Sequence, residues 1–251
     1  MNEEIQAGAD AIVTVRSGGR ETTVDLYSAE GLDLLAALRL KQAAEFKLMY
    51  EPNWLGVKII QLPEDIVALQ EVLWQVKPET VVECGIAHGG SLVLAASILE
   101  LIGKGRVVGV DVDIRAHNRA IIEQHPLARR ISLIEGSSVA PETVAKVRDA
   151  ASATGPVLVV LDSNHAEHHV AEEIRLYKDL VTPGSYLVVM DGAQGLVSDI
   201  PRGNPAWRTD NPLSAIRAFL STDGAFEADR RFERFGVTSS PFGFLKRIAA
   251  P

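Results

Sequence analysis

Asp162 and Asp191 each close a short apolar run, and His165 stands three residues after the first of them. Carboxylates at the tips of neighbouring strands are like charges at close range, costly unless a cation or a shared proton compensates. A hard divalent cation such as Mg²⁺ takes oxygen ligands and would acidify a bound hydroxyl. Histidine titrates near neutral pH, so His165 could instead take a proton itself. It could also serve only as a hydrogen-bonding residue at a helix start. The chemistry suggested is the activation of an oxygen nucleophile, with Asp162, Asp191 and His165 as catalytic candidates and the two aspartates as metal ligands.

A second constellation lies upstream, in Val81-Val82-Glu83-Cys84-Gly85-Ile86-Ala87-His88-Gly89-Gly90-Ser91. An apolar run ends in a carboxylate, passes a glycine-rich turn and opens a helical pattern. That is the order in which parallel α/β sheets bind nucleotide-like ligands. Gly85 permits the turn and a close approach of ligand to backbone; Gly89 and Gly90 leave helix amides uncovered. Glu83 repels a pyrophosphate but suits ribose hydroxyls or a cationic group such as the methionyl end of S-adenosylmethionine. Asp111 follows the next apolar run, where a carboxylate can accept both ribose hydroxyls, and Asp113 could share that work. Ser137 would fall near an adenine edge. The expected cofactor set is Glu83, Gly85, Gly90, Ser91, Asp111, Asp113, Ser137 and Asp162.

Other motifs fail. No lysine precedes Ser91, which removes a triphosphate loop. The run His165-Ala166-Glu167-His168-His169 is neither His-Glu-x-x-His nor its inverse, and a solvated helix face accounts for His168 and His169. No Gly-x-Ser-x-Gly elbow is present. The single cysteine, Cys84, excludes an intrachain disulfide or a cysteine-built zinc site and reads as a small apolar filler.

The elements that must position these residues are continuous apolar strands at 81–83, 106–111, 131–137, 157–162 and 185–191. Helical patterns separate them at 91–101, 115–124, 141–151 and 166–180. Such alternation implies a parallel sheet covered on both faces, with right-handed crossovers placing every strand's carboxyl end on one edge. Glu83, Asp111, Ser137, Asp162 and Asp191 converge there. After a helix at 212–220, strands at 226–230 and 242–247 suggest an antiparallel hairpin added to the sheet. The segment 192–211 is long and aperiodic and contains Trp207, as binding loops or lids do. The fold expected is a Rossmann-like, doubly wound, mostly parallel α/β sheet of about seven strands. An antiparallel C-terminal hairpin and an N-terminal helical cap complete it. Residues 1–60 form the cap or an oligomer contact, with a helix at 29–50, and residues 61–251 form the main domain, opened by a helix at 63–76.

Hydrophobic residues make up 47% of the 251, enough for a full core, and the net charge of −8 lacks the footprint of a nucleic-acid binder. No apolar signal region follows the first residues and no apolar run reaches membrane-spanning length, so a cytoplasmic protein without membrane contact is expected.

Taken together, these motifs resemble the cephalosporin hydroxylase / rhamnosyl O-methyltransferase family. The resemblance is carried by Glu-x-Gly-x-x-x-Gly-Gly-Ser (83–91), Val-Asp-x-Asp (110–113), Leu-Asp-Ser-Asn-His (161–165), Gly-Ser-Tyr-Leu-Val-Val-x-Asp (184–191) and Phe-Gly-Phe-Leu-Lys-Arg (242–247). It covers roughly residue 50 to the end; Asp-Ser-Asn-His is fairly specific, the glycine loop is not. The resemblance implies an S-adenosylmethionine-dependent O-methyltransferase acting on a small-molecule hydroxyl, most simply a sugar of a glycosylated natural product, in a homo-oligomer. It also implies Mg²⁺ on the Asp of Asp-Ser-Asn-His and on a Glu-Asp pair after the next strand. Here that pair is Met190-Asp191, and a thioether is a poor Mg²⁺ partner. Weaker metal binding through Asp162 and Asp191, or base catalysis by His165 without metal, are the two consequences. Two rivals stand beside this expectation. One is a nicotinamide-dependent oxidoreductase, disfavoured by the missing Gly-x-Gly-x-x-Gly. The other is a cofactor-binding, non-catalytic partner in antibiotic tailoring, which the Met190 departure keeps open.

Overall fold

In the computed structural model, residues 11–17, 19–151 and 155–248 are described. The apolar runs form β5 (Thr80–Cys84), β6 (Arg106–Asp111), β7 (Ile131–Glu135), β8 (Val157–Leu161) and β9 (Tyr186–Val189), all parallel. Two antiparallel strands, β10 (Phe226–Ala228) and β11 (Phe244–Arg247), complete a seven-stranded sheet in the order β10-β11-β9-β8-β5-β6-β7. The chain steps outward from β5 to β7, then returns to place β8 on the other side of β5. That reversal is the topological switch point, where open α/β sheets bind ligands beyond the carboxyl ends of their strands.

Strand periodicity of two sorts the core into two layers. Val81, Leu158, Tyr186 and Val188 face α2 (Pro63–Val76) and α3 (Gly90–Ile102), with Ile122 of α4 (Ala116–Gln124) on the same side. Val82, Cys84, Val159 and Leu187 face α5 (Pro141–Ala151), α6 (Glu167–Tyr177) and α7 (Pro212–Thr222). Each fully buried leucine, such as Leu92, Leu99 or Leu158, contributes about 1.5–3 kcal/mol. Pro63 opens α2 and Pro212 opens α7, where a missing amide hydrogen costs nothing.

The sequence-derived helices agree with the observed ones to within a few residues, apart from two ends: the 29–50 stretch stops at Glu45, Lys47 turns left-handed at φ 54 and a 3₁₀ turn follows over Leu48–Tyr50, and the 166–180 stretch tightens into a 3₁₀ turn over Lys178–Leu180. The C-terminal strands pair as expected, but a 3₁₀ turn over Arg230–Glu233 intervenes, and Phe232 stacks on Phe244 with ring centroids 4.8 Å apart. Residues 192–211, expected to be aperiodic, contain two 3₁₀ turns, Gly192–Val197 and Pro205–Arg208. The helix α1 (Ala29–Glu45) is present, N-capped by Ser28, whose hydroxyl accepts the Gly31 amide at 3.0 Å. An antiparallel hairpin precedes it, β1 (Ile12–Ser17) with β2 (Arg20–Asp25), where no strand was expected. A second small pair, β3 (Asn53–Trp54) with β4 (Val57–Lys58), leads into α2.

Candidate active site

Alternation along β5 places Glu83 on the same face as Val81, among Leu69, Leu73, Leu94 and Val160 between α2 and α3. It is 3% exposed, and its only hydrogen-bond donor among the described residues is the Ser91 hydroxyl. Burial pushes its pKa up to about 8; the Ser91 bond opposes the rise and the charge on Asp162 adds to it. The acid expected to be a fixed carboxylate is therefore a carboxyl poised to lose a proton when a cation arrives.

Gly85 has φ +97, and a Cβ there would overlap the carbonyl of Asp162 on the adjacent strand tip. Only glycine lets the fingerprint turn pass this close to the β8 loop. Gly90 acts differently from expectation. A Cβ on it would overlap the Lys58 carbonyl, so it allows the segment 58–61 to lie across the start of α3. That segment, the fingerprint loop, Ser91 and Asp162 line a narrow cleft of about 30 Å³. In it Gln61, absent from the expected set, has a buried Oε1 without a partner among the described residues. An orphaned acceptor beside a protonatable acid suits a ligand carrying ammonium or hydroxyl donors.

Asp111 accepts the Ile86 and Ala87 amides at 2.8 and 3.3 Å on Oδ2, and the Asp113 amide at 3.2 Å on Oδ1. It therefore braces the fingerprint loop directly. Asp113 is exposed beside it, and Ser137 is half-buried after β7. His168 is exposed as expected, but His169 is not a solvated residue. Its Nε2 lies 3.2 Å from Ser138 Oγ and 3.3 Å from Ser163 Oγ, joining the loops after β7 and β8, and 3.5 Å from buried Glu173 one turn along α6.

At the tips of β8 and β9, His165 sits between the two aspartates. Its Nε2 is 3.7 Å from Asp162 Oδ1 and its Nδ1 is 3.4 Å from Asp191 Oδ2. Burial alone would lower the imidazole pKa, but the carboxylates of Asp162 and Asp191 and the charge of Glu173 outweigh it and raise it to about 9. Asp162 is raised to about 6 by burial, with His165 opposing and Asp191 adding. The compensating charge for the like-charged pair is thus the imidazolium proton.

One donor atom from each of Asp162, His165 and Asp191 lies within 4.8 Å of the others, a set that could hold a divalent cation. Met190 takes no part in it. It is 2% exposed, packs in the α2-side core and has Ser240 Oγ 3.6 Å from its sulfur.

Asp191 has φ 58, a left-handed backbone that redirects its side chain out of the strand alternation. Its amide donates to Ser240 Oγ at 3.1 Å, and the Ala193 amide donates to the Ser239 carbonyl at 2.8 Å. Residues 238–240 are held in turn by Asp65 in the first turn of α2. Its carboxylate accepts Thr238 Oγ1 at 2.5 Å, and Ser239 N and Oγ at 2.8 Å each. Burial raises Asp65 to about 6 despite those three bonds. No motif marks Asp65, Ser239 or Ser240 in the sequence; an acid in a helix first turn reads as an ordinary dipole partner.

Beyond His165 and Asp191 a cavity of about 420 Å³ opens between α1 and the segment 192–211. Its walls include Leu40, Met49, Tyr50, Val197, Ile200 and Trp207.

A profile of the rhamnosyl O-methyltransferase/CmcI family matches residues 46–248. The chain belongs to the rhamnosyl O-methyltransferase/CmcI family. A rhamnosyl O-methyltransferase of Mycobacterium leprae is 32% identical over 201 residues, covering 78% of this chain and 82% of that protein. One from Mycobacterium tuberculosis is 31% identical over 203 residues, covering 78% of each. A solved structure of CmcI with Mg and S-adenosylmethionine aligns with a TM-score of 0.59 at 21% identity, over 80% of this chain and 78% of that one. An O-methyltransferase from Bacillus cereus in complex with S-adenosylhomocysteine aligns at 0.51 with 16% identity, over 81% and 84%. This family member is an S-adenosylmethionine-dependent O-methyltransferase on a Rossmann-like sheet. A nicotinamide-dependent oxidoreductase and a non-catalytic partner both fall with that assignment.

Proposed function

We propose that the hydroxyl methylated is that of a sugar, on a glycosylated small molecule. The observation that carries this is the adjoining placement of Glu83, Asp162, His165 and Asp191 at the tips of three neighbouring strands, with the cavity of about 420 Å³ opening directly beyond His165. The family's named rhamnosyl acceptors supply the sugar.

S-adenosylmethionine supplies a methyl group on a positively charged sulfur. Glu83, Gly85, Gly90, Ser91, Asp111, Asp113, Ser137 and Asp162 form its surroundings, together with Gln61. Positive charge arriving beside Glu83 and Asp162 favours their ionised forms and lowers the imidazole pKa. Neutral His165 then takes the proton of the acceptor hydroxyl. The new C–O bond forms as the S–CH₃ bond breaks, leaving a neutral thioether. Holding oxygen and methyl carbon in line supplies much of the acceleration, worth about 7–11 kcal/mol in well-oriented systems. Asp191 and Asp162 orient the imidazole, and Trp207 with the segment 192–211 covers the acceptor against water.

Asp162 and Asp191 would hold Mg²⁺ through their carboxylate oxygens, and the bound ion would acidify the acceptor hydroxyl. Met190 supplies nothing to it, so binding is weak. We further propose residues 1–60 as a cap and subunit contact of a cytoplasmic homo-oligomer, supported by the exposed Leu32 and Leu35 of α1 and Phe46 just after it; residues 1–10 and 18 lie outside the described residues.

The test is Asp162→Asn, assayed with labelled methyl donor and a panel of glycosides. Transfer falls about 10²–10⁴-fold while the circular dichroism spectrum is unchanged. Full activity in that variant removes the site.

A further inference from the structure

The helix α6 carries a polar stripe to which the proton transfer described above gives no role. His169, Glu173 and Tyr177 recur every four residues, so they share one face of the helix. That face meets two loops at the carboxyl edge of the sheet. The Tyr177 hydroxyl donates to the Ser138 carbonyl at 2.7 Å, after β7. The Ser163 hydroxyl donates to Glu173 Oε1 at 2.6 Å, after β8. His169 Nε2 stands between the Ser138 and Ser163 hydroxyls, at 3.2 and 3.3 Å.

Glu173 is the costly member of the stripe. It is fully buried, and its second oxygen, Oε2, has no hydrogen-bond partner among the described residues. A buried carboxyl with an unpaired oxygen lowers stability, and an apolar side chain would fill the space without that cost. Val170 and Ile174 already pack α6 into the core. What the acid reaches is Ser163, one residue after Asp162 and two before His165. The opposite side of this turn is confined as well. The Asp162 amide donates to the Cys84 carbonyl at 2.8 Å, and the Ser163 Cα lies so near Gly85 that a Cβ there would overlap it. Gripped by the fingerprint loop on one side and by Glu173 on the other, the turn has little freedom. A base that must meet a hydroxyl in line with a methyl group needs that, because small misplacements are expensive in rate. We propose that Glu173 is a positioning residue for methyl transfer, which through its hydrogen bond to Ser163 sets the turn that aims His165 between Asp162 and Asp191. Ser163 is the relay, and the rest of the stripe fixes α6 against the loop after β7. This rests on the reading of His165 as the base.

The ring signals of His165 test it without an acceptor. They are read by nuclear magnetic resonance in the full chain with isotope-labelled histidine, saturated with S-adenosylhomocysteine, and assigned with His165→Gln. The signal moves in Ser163→Ala and in Glu173→Met. It moves no further when the two are combined, since both cut the same bond. In Glu173→Gln, whose amide oxygen still accepts the Ser163 hydroxyl, it stays at the parent position. Turnover of phenyl rhamnoside with labelled methyl donor follows the same order. It falls about 10–100-fold in Ser163→Ala and Glu173→Met, as on loss of other orienting partners, with KM little changed, and it holds in Glu173→Gln. A purely structural acid would lower thermal stability and leave the ring signal alone. Ser163 is exposed, so its alanine variant keeps the fold even where Glu173→Met does not. An unmoved signal in Ser163→Ala, shifts that add in the double variant, or Glu173→Gln behaving like Glu173→Met overturns the proposal. A signal that moves while turnover stays at the parent rate sinks the reading of His165 as the base and leaves the grip of Glu173 on the turn standing. Failure of the parent to methylate the probe counts against the sugar-hydroxyl reading alone, and the ring signals still decide on Glu173.

Discussion

Glu83 is the residue whose chemistry changes most between sequence and structure. As a strand-tip acid it reads as a fixed negative charge; enclosed by apolar side chains, it holds a proton to about pH 8. The sign of its effect on stability follows from linkage. The unfolded chain loses this proton near 4.5 and the folded chain keeps it to about 8, so native stability is highest below the lower value and falls as pH rises through the window. Glu83→Gln removes that loss while an amide oxygen can still accept the Ser91 hydroxyl. The ligand-free variant gains on the parent by several degrees of melting temperature between about pH 5 and pH 8, read by thermal unfolding. A gap between the two proteins that stays constant with pH contradicts the buried-acid account. Asp162, His165 and Asp191 were legible from order alone, because polar residues ending parallel strands must meet on one edge. Gln61 was not, since one polar side chain in an aperiodic stretch carries no periodic or motif signal.

Among the elements, α2 does more than cover the sheet. Through Asp65 it grips residues 238–240, and these fix the left-handed turn of Asp191. We assign Asp65 as a positioning residue. Asp65→Asn turns an amide donor toward the donors of Ser239 and costs about 1–3 kcal/mol of stability. Methyl transfer falls in turnover, while affinity for S-adenosylhomocysteine, whose proposed surroundings on β5 and α3 are untouched, stays within about twofold, a shift under 0.5 kcal/mol. Equal losses of both in a folded variant would make the residue structural only. The strands and helices themselves were readable because continuous apolar runs and 3.6-residue periodicity alternate cleanly from residue 63 to residue 191. The β1–β2 hairpin escaped notice because Thr14, Arg16, Thr22 and Thr23 dilute its apolar alternation, and its exposed faces need little of it.

At the scale of the whole molecule, the sheet divides the labour along its carboxyl edge. The fingerprint loop, the segment 58–61 and Asp162 enclose one cleft; α1 and the segment 192–211 enclose the other, and His165 on the wall of the second stands 3.7 Å from Asp162 of the first. A ligand that binds only the folded state stabilises it by mass action. S-adenosylhomocysteine at about 100 times its dissociation constant adds about 2.7 kcal/mol and raises the melting temperature, and a nicotinamide dinucleotide leaves it unchanged. A larger shift with the dinucleotide would contradict the donor assignment. The position of β11 was foreseeable only as an extra antiparallel strand; that the turn before it steadies Asp191 was not, since pairing across such a distance leaves no local mark.

The bond between Asp65 and Ser239 spans 174 positions of sequence. Ribosomal synthesis releases the amino-terminal partner first, so β5 to β9 and the fingerprint loop are made before residue 239 exists. The turn that steadies Asp191 is completed only afterwards, when β11 slots in beside β9. Translation thus supplies the residues that hold Asp191 in place only after every parallel strand of the sheet has been made.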